Sequence, residues 1–162
     1  MKNAAAAILA FVAVSCATAP AAPPPAAAPL RVTDPCALLT AADIGQPLIE
    51  AKASGRQCFY RLDPFVNSIS LTLVTDARAL WETMEKGEGK EEEEEEKGRE
   101  SQRREIEGVG DDALWIVSPV GANLYVRSGD AMLRISAGGK MSDEERLAKS
   151  VALAKAALAR LR

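Results

Sequence analysis

The sequence contains no histidine. That excludes Ser-His-Asp and Cys-His catalytic centres and the zinc ligand sets that include an imidazole. Aromatic residues make up only 4% of the chain. A core must then be built from Leu, Ile, Val and Ala, so each large side chain carries more of it. Basic charge is not in excess, because the formal net charge is −3. A nucleic-acid partner normally needs a basic face, so none is expected. No apolar run reaches the ~20 residues that a membrane-spanning helix requires. There is no phosphate loop and no nucleophile elbow, and neither a cofactor nor a metal is expected.

What is present begins with an address. Residues 1–16 read MKNAAAAILAFVAVSC. Lys2 supplies a positive start, and Ala4–Val14 is an apolar run of eleven residues. The pairing describes a secretory signal over residues 1–15 rather than an anchor helix. Ala13-Val14-Ser15 before Cys16 looks like a lipobox, although leucine is commoner where Ala13 stands. By that resemblance Cys16 becomes the acylated first residue of the mature chain. Losing residues 1–15 removes Lys2 alone from the charge count and leaves the mature chain at −4.

Residues 16–33 then read as lipidated Cys16 followed by an Ala/Pro-rich tether. Proline favours an extended polyproline II path, so seventeen residues would reach about 50 Å. Residues 34–162 form one domain, with enough chain for a modest core.

Asp34-Pro35 suits a helix start, and Thr40 to Asp43 resembles a capping box. Two short helical turns that change direction at Thr40 are expected over this opening segment. Gln57–Leu62 and Asn67–Thr75 read as strands. In the second, Ile69, Leu71 and Leu73 alternate with Ser68, Ser70 and Thr72, which buries one face and wets the other. Asp63-Pro64 marks the turn between them. A helix is expected from near Asp76, carrying Leu80, Trp81 and Met84.

Ala113–Ser118, Leu124–Arg127 and Ala131–Ser136 follow as closely spaced strands, which favours hairpins. A final helix opens on Ser142 and Glu145 as a capping box, with Leu147, Val151, Ala154, Leu158 and Leu161 at helical spacing. The predicted fold class is α+β: an antiparallel sheet of about five strands with helices packed on it, in the order α-β-β-α-β-β-β-α.

With Cys16 committed to lipid, Cys36 and Cys58 remain as an even pair in an exported chain. A structural disulfide is expected between them. A redox or metal site has the wrong spacing and no third soft ligand. DPCALLTAADIGQP, CFY and GVGDDALW, followed by a hairpin and an amphipathic last helix, resemble a group of small bacterial envelope lipoproteins. The shared domain of that group carries no assigned function. The resemblance covers most of residues 34–162 and implies an envelope location and a non-catalytic domain. It brings no ligand or active site with it.

Lys86–Glu105 departs from that pattern as an insertion with nine acidic and six basic residues, including unbroken Glu91–Glu96. It lacks the Asp, Asn and Gly spacing of a calcium loop. A solvated helix extension or loop is the expected form. Asp111 and Asp112 could act as an acid and base or bind metal, but Gly and Asp more often simply supply a turn. Trp115 and Tyr125 fall on neighbouring strands and are candidates to line a ligand groove, against the plainer reading of packing aromatics.

The function expected from the sequence is a membrane-anchored, non-catalytic binding or accessory module. Its address is the cell envelope, on the periplasmic face of an outer membrane or the outer face of a cell membrane. The membrane is reached through Cys16, and the partner would be an envelope protein or a wall polymer. The alternatives are a carboxylate-dependent envelope hydrolase and a purely structural lipoprotein.

Overall fold

The computed structural model describes residues 34–86 and 102–161. The expected signal, Cys16, the tether and residues 87–101 of the charged insertion lie outside them. Among the described residues no helix is long and apolar enough to cross a membrane.

The chain opens with a 3₁₀ turn, Pro35–Leu38, whose first free N–H, that of Cys36, donates to the Asp34 carboxylate at 2.8 Å. Leu39 and Thr40 are extended, and α1, Ala41–Ile44, starts afresh at Thr40. Thr40 and Asp43 cap one another, each side chain accepting from the other's backbone N–H. Gly45 closes the helix in the left-handed region.

Seven strands follow: β1 Leu48–Ser54, β2 Gln57–Leu62, β3 Ile69–Val74, β4 Gln102–Glu105, β5 Asp112–Ser118, β6 Gly121–Ser128 and β7 Ala131–Ala137. They make one antiparallel sheet in the order β1-β2-β3-β7-β6-β5-β4. Two meanders, β1 to β3 and β4 to β7, meet where β3 pairs with β7. The helix α2, Arg78–Lys86, leaves β3 between them, and α3, Asp143–Leu161, ends the described chain.

The sheet has seven strands instead of about five, and the element order changes with it. The two extra strands are its edges. From the sequence, Leu48–Ser54 carries no expected element: Ile49, Ala51 and Ala53 alternate with Glu50, Lys52 and Ser54, but β1 is exposed over almost its whole length, so no buried face sets it apart from a loop. β4 was placed inside the charged insertion, because Gln-Arg-Arg-Glu offers a core nothing. Both strands exist through their hydrogen-bonded ladders with β2 and β5, not through burial.

One face of the sheet carries the main core. Leu71, Leu133, Ile135, Leu124 and Val126 are all fully buried there. The face is closed by α3, which packs on β6 and β7, and by the 3₁₀ turn and α1 at its C-terminal end. Arg160 in the last turn of α3 donates to the Leu38 carbonyl and pairs with Asp43 at 3.0 Å. Burial works upward on the Asp43 carboxyl, but hydrogen bonds from Thr40 and Arg160 outweigh it and hold the group below its ordinary value. The Cys36–Cys58 disulfide ties the 3₁₀ turn to β2, with Cα atoms 5.0 Å apart. The opposite face is covered only in part. There Ala77, just before α2, and Trp81 on α2 pack on Leu114 and Met132 to form a second, smaller cluster.

Candidate functional site

α2 is held over the second face by its N-terminus. The Ala77 N–H donates to the Asp130 carbonyl at 2.8 Å, and Arg78 pairs with the Asp130 carboxylate at 2.9 Å. This fastens the start of α2 to the β6–β7 turn. The helix is amphipathic: Trp81 is buried, while Leu80 beside it in sequence is exposed. Trp81 descends onto Leu114 because successive β5 residues alternate faces, so that Leu114 lies under α2 and Trp115 lies in the main core.

Where α2 runs past β4 and the start of β5 it leaves a cavity of about 300 Å³. Its wall carries Trp81 and Glu85 from α2, Glu105 from β4, Glu107 from the loop after it, and Asp112 and Leu114 from β5. A smaller recess of about 230 Å³ adjoins it, lined by Glu85, Arg103, Arg104, Glu105 and Leu114. Trp81 is 3% exposed, and its indole N–H finds no acceptor among the described residues. A buried donor without a partner costs about 1–3 kcal/mol, and this one is shut off from solvent rather than open to the cavity.

The acidic side chains of this wall divide into two kinds. Asp111 and Asp112 are committed. Asp112 accepts from Arg127 Nε at 2.9 Å and also from Nη2. Asp111 accepts from the Gly129 N–H at 2.7 Å and stands 3.8 Å from Arg127 Nη1. The backbone before them is pressed on the same strand. At Gly110 a Cβ would collide with the Arg127 carbonyl oxygen and a Val126 methyl, and its φ of +67° suits glycine alone. The Gly108–Asp112 stretch therefore works as a lock onto β6, and the turn reading of these residues describes their contacts.

Glu85, Glu105 and Glu107 are different. None of them has an ion-pair partner among the described residues. Arg104, their near neighbour, is taken by Glu144 in a two-pronged pair at 3.1 and 3.2 Å. That hydrogen bonding raises the Arg104 pKa and lowers that of Glu144. The carboxylates come from separate elements, and among the described residues no three Cys, Asp or Glu side chains converge on a metal-sized point.

Cys36 and Cys58 are joined as expected. Trp115 and Tyr125 are not brought together. Trp115 is 3% exposed in the main core, whereas Tyr125 is half-buried on the other face, with the Arg134 guanidinium 5.8 Å from its ring centre. Arg134 is fixed there by its Nε hydrogen bond to Asn123 at 3.1 Å. Sequence reasoning missed Trp81, Glu85 and Glu105 as a group. One signal was available: a tryptophan in a helix whose apolar face is otherwise thin. Nothing local could have placed β4 beside it.

Compared with protein families, curated proteins and solved structures, the chain matches none of them.

Proposed function

We propose that this protein is an envelope lipoprotein, anchored through Cys16, whose domain is a non-catalytic module that binds a small ligand or polymer end in the cavity beneath α2. The observation that carries the binding role is the cavity itself, walled by Trp81 and Glu85 from α2, Glu105 from β4 and Leu114 from β5. A cavity of about 300 Å³ is at the small end of ligand pockets. Its presence favours a binding role over a purely structural one. A hydrolase reading has less support, because the adjacent pair Asp111 and Asp112 is spent on Arg127 and Gly129.

The address is supported by the apolar run ending at Ser15-Cys16 and by a disulfide, which suits an oxidising compartment. The likeness to small bacterial envelope lipoproteins points the same way.

Two measurements on the full-length chain test the two halves. Wild-type protein should partition with membranes and a Cys16→Ser variant should not; a variant that still partitions refutes the anchor. Trp81 emission should shift when neutral sugars, amines or carboxylates are titrated in. The Trp81→Phe variant identifies that component of the spectrum. No response to any of the three classes would refute cavity binding.

A further inference from the structure

We infer that the outer edge of β1 is a docking site for a second copy of this chain. The two β1 strands pair antiparallel about Ala51 and join two seven-stranded sheets into one.

The first observation is an open row of backbone groups. β1 ends the sheet and pairs with β2 alone. Among the described residues, no backbone hydrogen bond outside that ladder involves Leu48–Ser54. Ser54 and Gln57 flank the two-residue turn Gly55-Arg56, which makes them a hydrogen-bonded pair. Alternation along the ladder then turns the N–H and C=O of Glu50 and Lys52 toward β2, and those of Ala51 and Ala53 outward. Such unpaired groups are a template for another strand. The register irregularity of β1 falls between Leu48 and Glu50, so Glu50–Ser54 forms a regular edge. Ala51 and Ala53 lie across from buried Tyr60 and Cys58 on the helix-bearing face, and their small side chains put no bulk in the way of an approaching strand.

The second observation is charge. Glu50 and Lys52 stand symmetrically about Ala51, both exposed. With Ala51 set against Ala51 of the second copy, Glu50 falls opposite Lys52 of the second copy, and Lys52 opposite Glu50 of the second copy. These are non-hydrogen-bonded pairs, whose Cα atoms approach to about 4.5 Å. Opposite charges stabilise such a pair and like charges destabilise it. Outward groups must meet outward groups, so the register slides only in steps of two residues. One step sets Lys52 against its own copy, and the step the other way sets Glu50 against its own copy. The charges therefore select one register. Lys52 has no ion-pair partner among the described residues, and Glu50 has exposed Arg61 at 3.6 Å. In the joined sheet Glu50 lies between Arg61 and Lys52 of the second copy, with positive charge on both sides.

The far edge fails the same requirement. β4 is four residues long, and its central Arg103 and Arg104 would oppose each other in a self-paired ladder. A foreign strand on β1 would need Lys and Glu at the same spacing in antiparallel order, which a second β1 supplies. The two-fold axis of the pair is normal to the sheet, so the helix-bearing faces of both copies point the same way. The chain enters each domain on that face through Pro35–Leu38, so both tethers lead toward one membrane, as the proposed Cys16 anchor requires.

The test is sedimentation of the full-length chain in detergent, with micelles in large excess over protein. The ladder is short, so the dissociation constant should be on the order of 10 μM. Glu50→Lys alone and Lys52→Glu alone should each weaken the dimer at least about tenfold, because each reversal changes both symmetric pairs. The two reversals together should return it close to the parent value. Both positions are exposed, so the melting temperatures of all three variants should match the parent. Amide exchange followed by NMR at rising concentration locates the contact: the N–H groups of Ala51 and Ala53 should become protected. A chain that stays monomeric well above the expected dissociation constant overturns the inference. A dimer that ignores the single reversals, or that the double reversal does not restore, overturns the register. Tighter association after a single reversal would show that Glu50 and Lys52 guard the edge against pairing, and a dimer that leaves Ala51 and Ala53 exchanging freely would place the contact elsewhere; either result overturns the docking role of β1.

Discussion

Trp115 and Tyr125, on neighbouring strands, project from opposite faces of the sheet. Leu114 stands across from Tyr125, and Trp115 across from Leu124. A single residue of register separates a core position from one beside α2. The two aromatics should therefore respond differently to truncation. Trp115→Ala opens a hole in the main core and should cost about 3–5 kcal/mol, close to the whole stability of a small domain. Tyr125→Ala removes a half-buried ring and a contact with Arg134, and should cost less than half as much. Urea unfolding midpoints of the two variants check this. Similar losses would mean that the two rings share an environment after all.

How far the fold was legible in the sequence follows from the same alternation. β3 reads clearly because Ile69, Leu71 and Leu73 are buried while Ser70 and Thr72 are not. The last helix reads clearly because Ala154, Leu158 and Leu161 recur on one buried face and Ser142 and Glu145 cap it. An edge strand that buries nothing gives its period no face to pack: in β1 Ile49, Ala51 and Ala53 alternate with Glu50, Lys52 and Ser54, yet all six are exposed. Glu50, Lys52 and Arg61 decorate β1 and its partner as they would a loop, and Arg103 and Arg104 do the same for β4. The cavity was illegible for a further reason. Trp81, Glu105 and Leu114 come from a helix and two strands, and only the long crossing from β3 to the far edge brings them together.

The position of β4 changes what a deletion should do. Read from the sequence, Lys86–Glu105 is dispensable, since it offers almost nothing to a core. In the structure its last four residues pair with β5 from Gln102 and Val117 to Glu105 and Leu114, and Arg104 reaches Glu144 on α3. Deleting residues 86–105 should therefore destabilise the domain by roughly 1–3 kcal/mol through lost ladder bonds and an uncovered β5 edge. Deleting only Glu91–Glu96 should leave the melting temperature unchanged. The observation against this account would be a full 86–105 deletion that melts where the parent does.

The Cys36–Cys58 bridge closes a segment whose ends are 22 residues apart in sequence. Loop entropy assigns such a cross-link about 3 kcal/mol. What it holds is the 3₁₀ turn and the residue after it, which seal the core through Leu38 and Leu39. Reduction, or Cys36→Ser with Cys58→Ser, should lower the melting temperature and make residues 34–50 the first site of proteolysis. Peptide mass spectrometry without reductant reports whether the bond is present in protein taken from the envelope. Free thiols there, or a double variant as protease-resistant as the parent, would remove the bridge from the account.

A second tie on the same segment gives the domain an alkaline limit. Tyr60 is fully buried, and its hydroxyl donates to the Pro35 carbonyl at 3.0 Å. Burial pushes the phenol up from 10.0 to about 12, because the phenolate would lose its hydration. The folded state thus holds this proton more tightly than the unfolded chain. The resulting stability is fully present below pH 10.0 and is lost as pH rises from there through about 12. Tyr60→Phe tests both roles. At neutral pH it leaves the Pro35 carbonyl without its partner and should cost about 0.5–1.5 kcal/mol. Above pH 10.0 it should lose less stability than the parent, since the variant has no phenol to ionise at that position. A Tyr125→Phe background leaves Tyr60 as the remaining tyrosine, so tyrosinate absorbance then reports Tyr60 alone. A Tyr60 that titrates at the free phenol value, or a Tyr60→Phe variant with the same alkaline loss as its parent, would show that the Pro35 contact does not control the opening of the N-terminal segment.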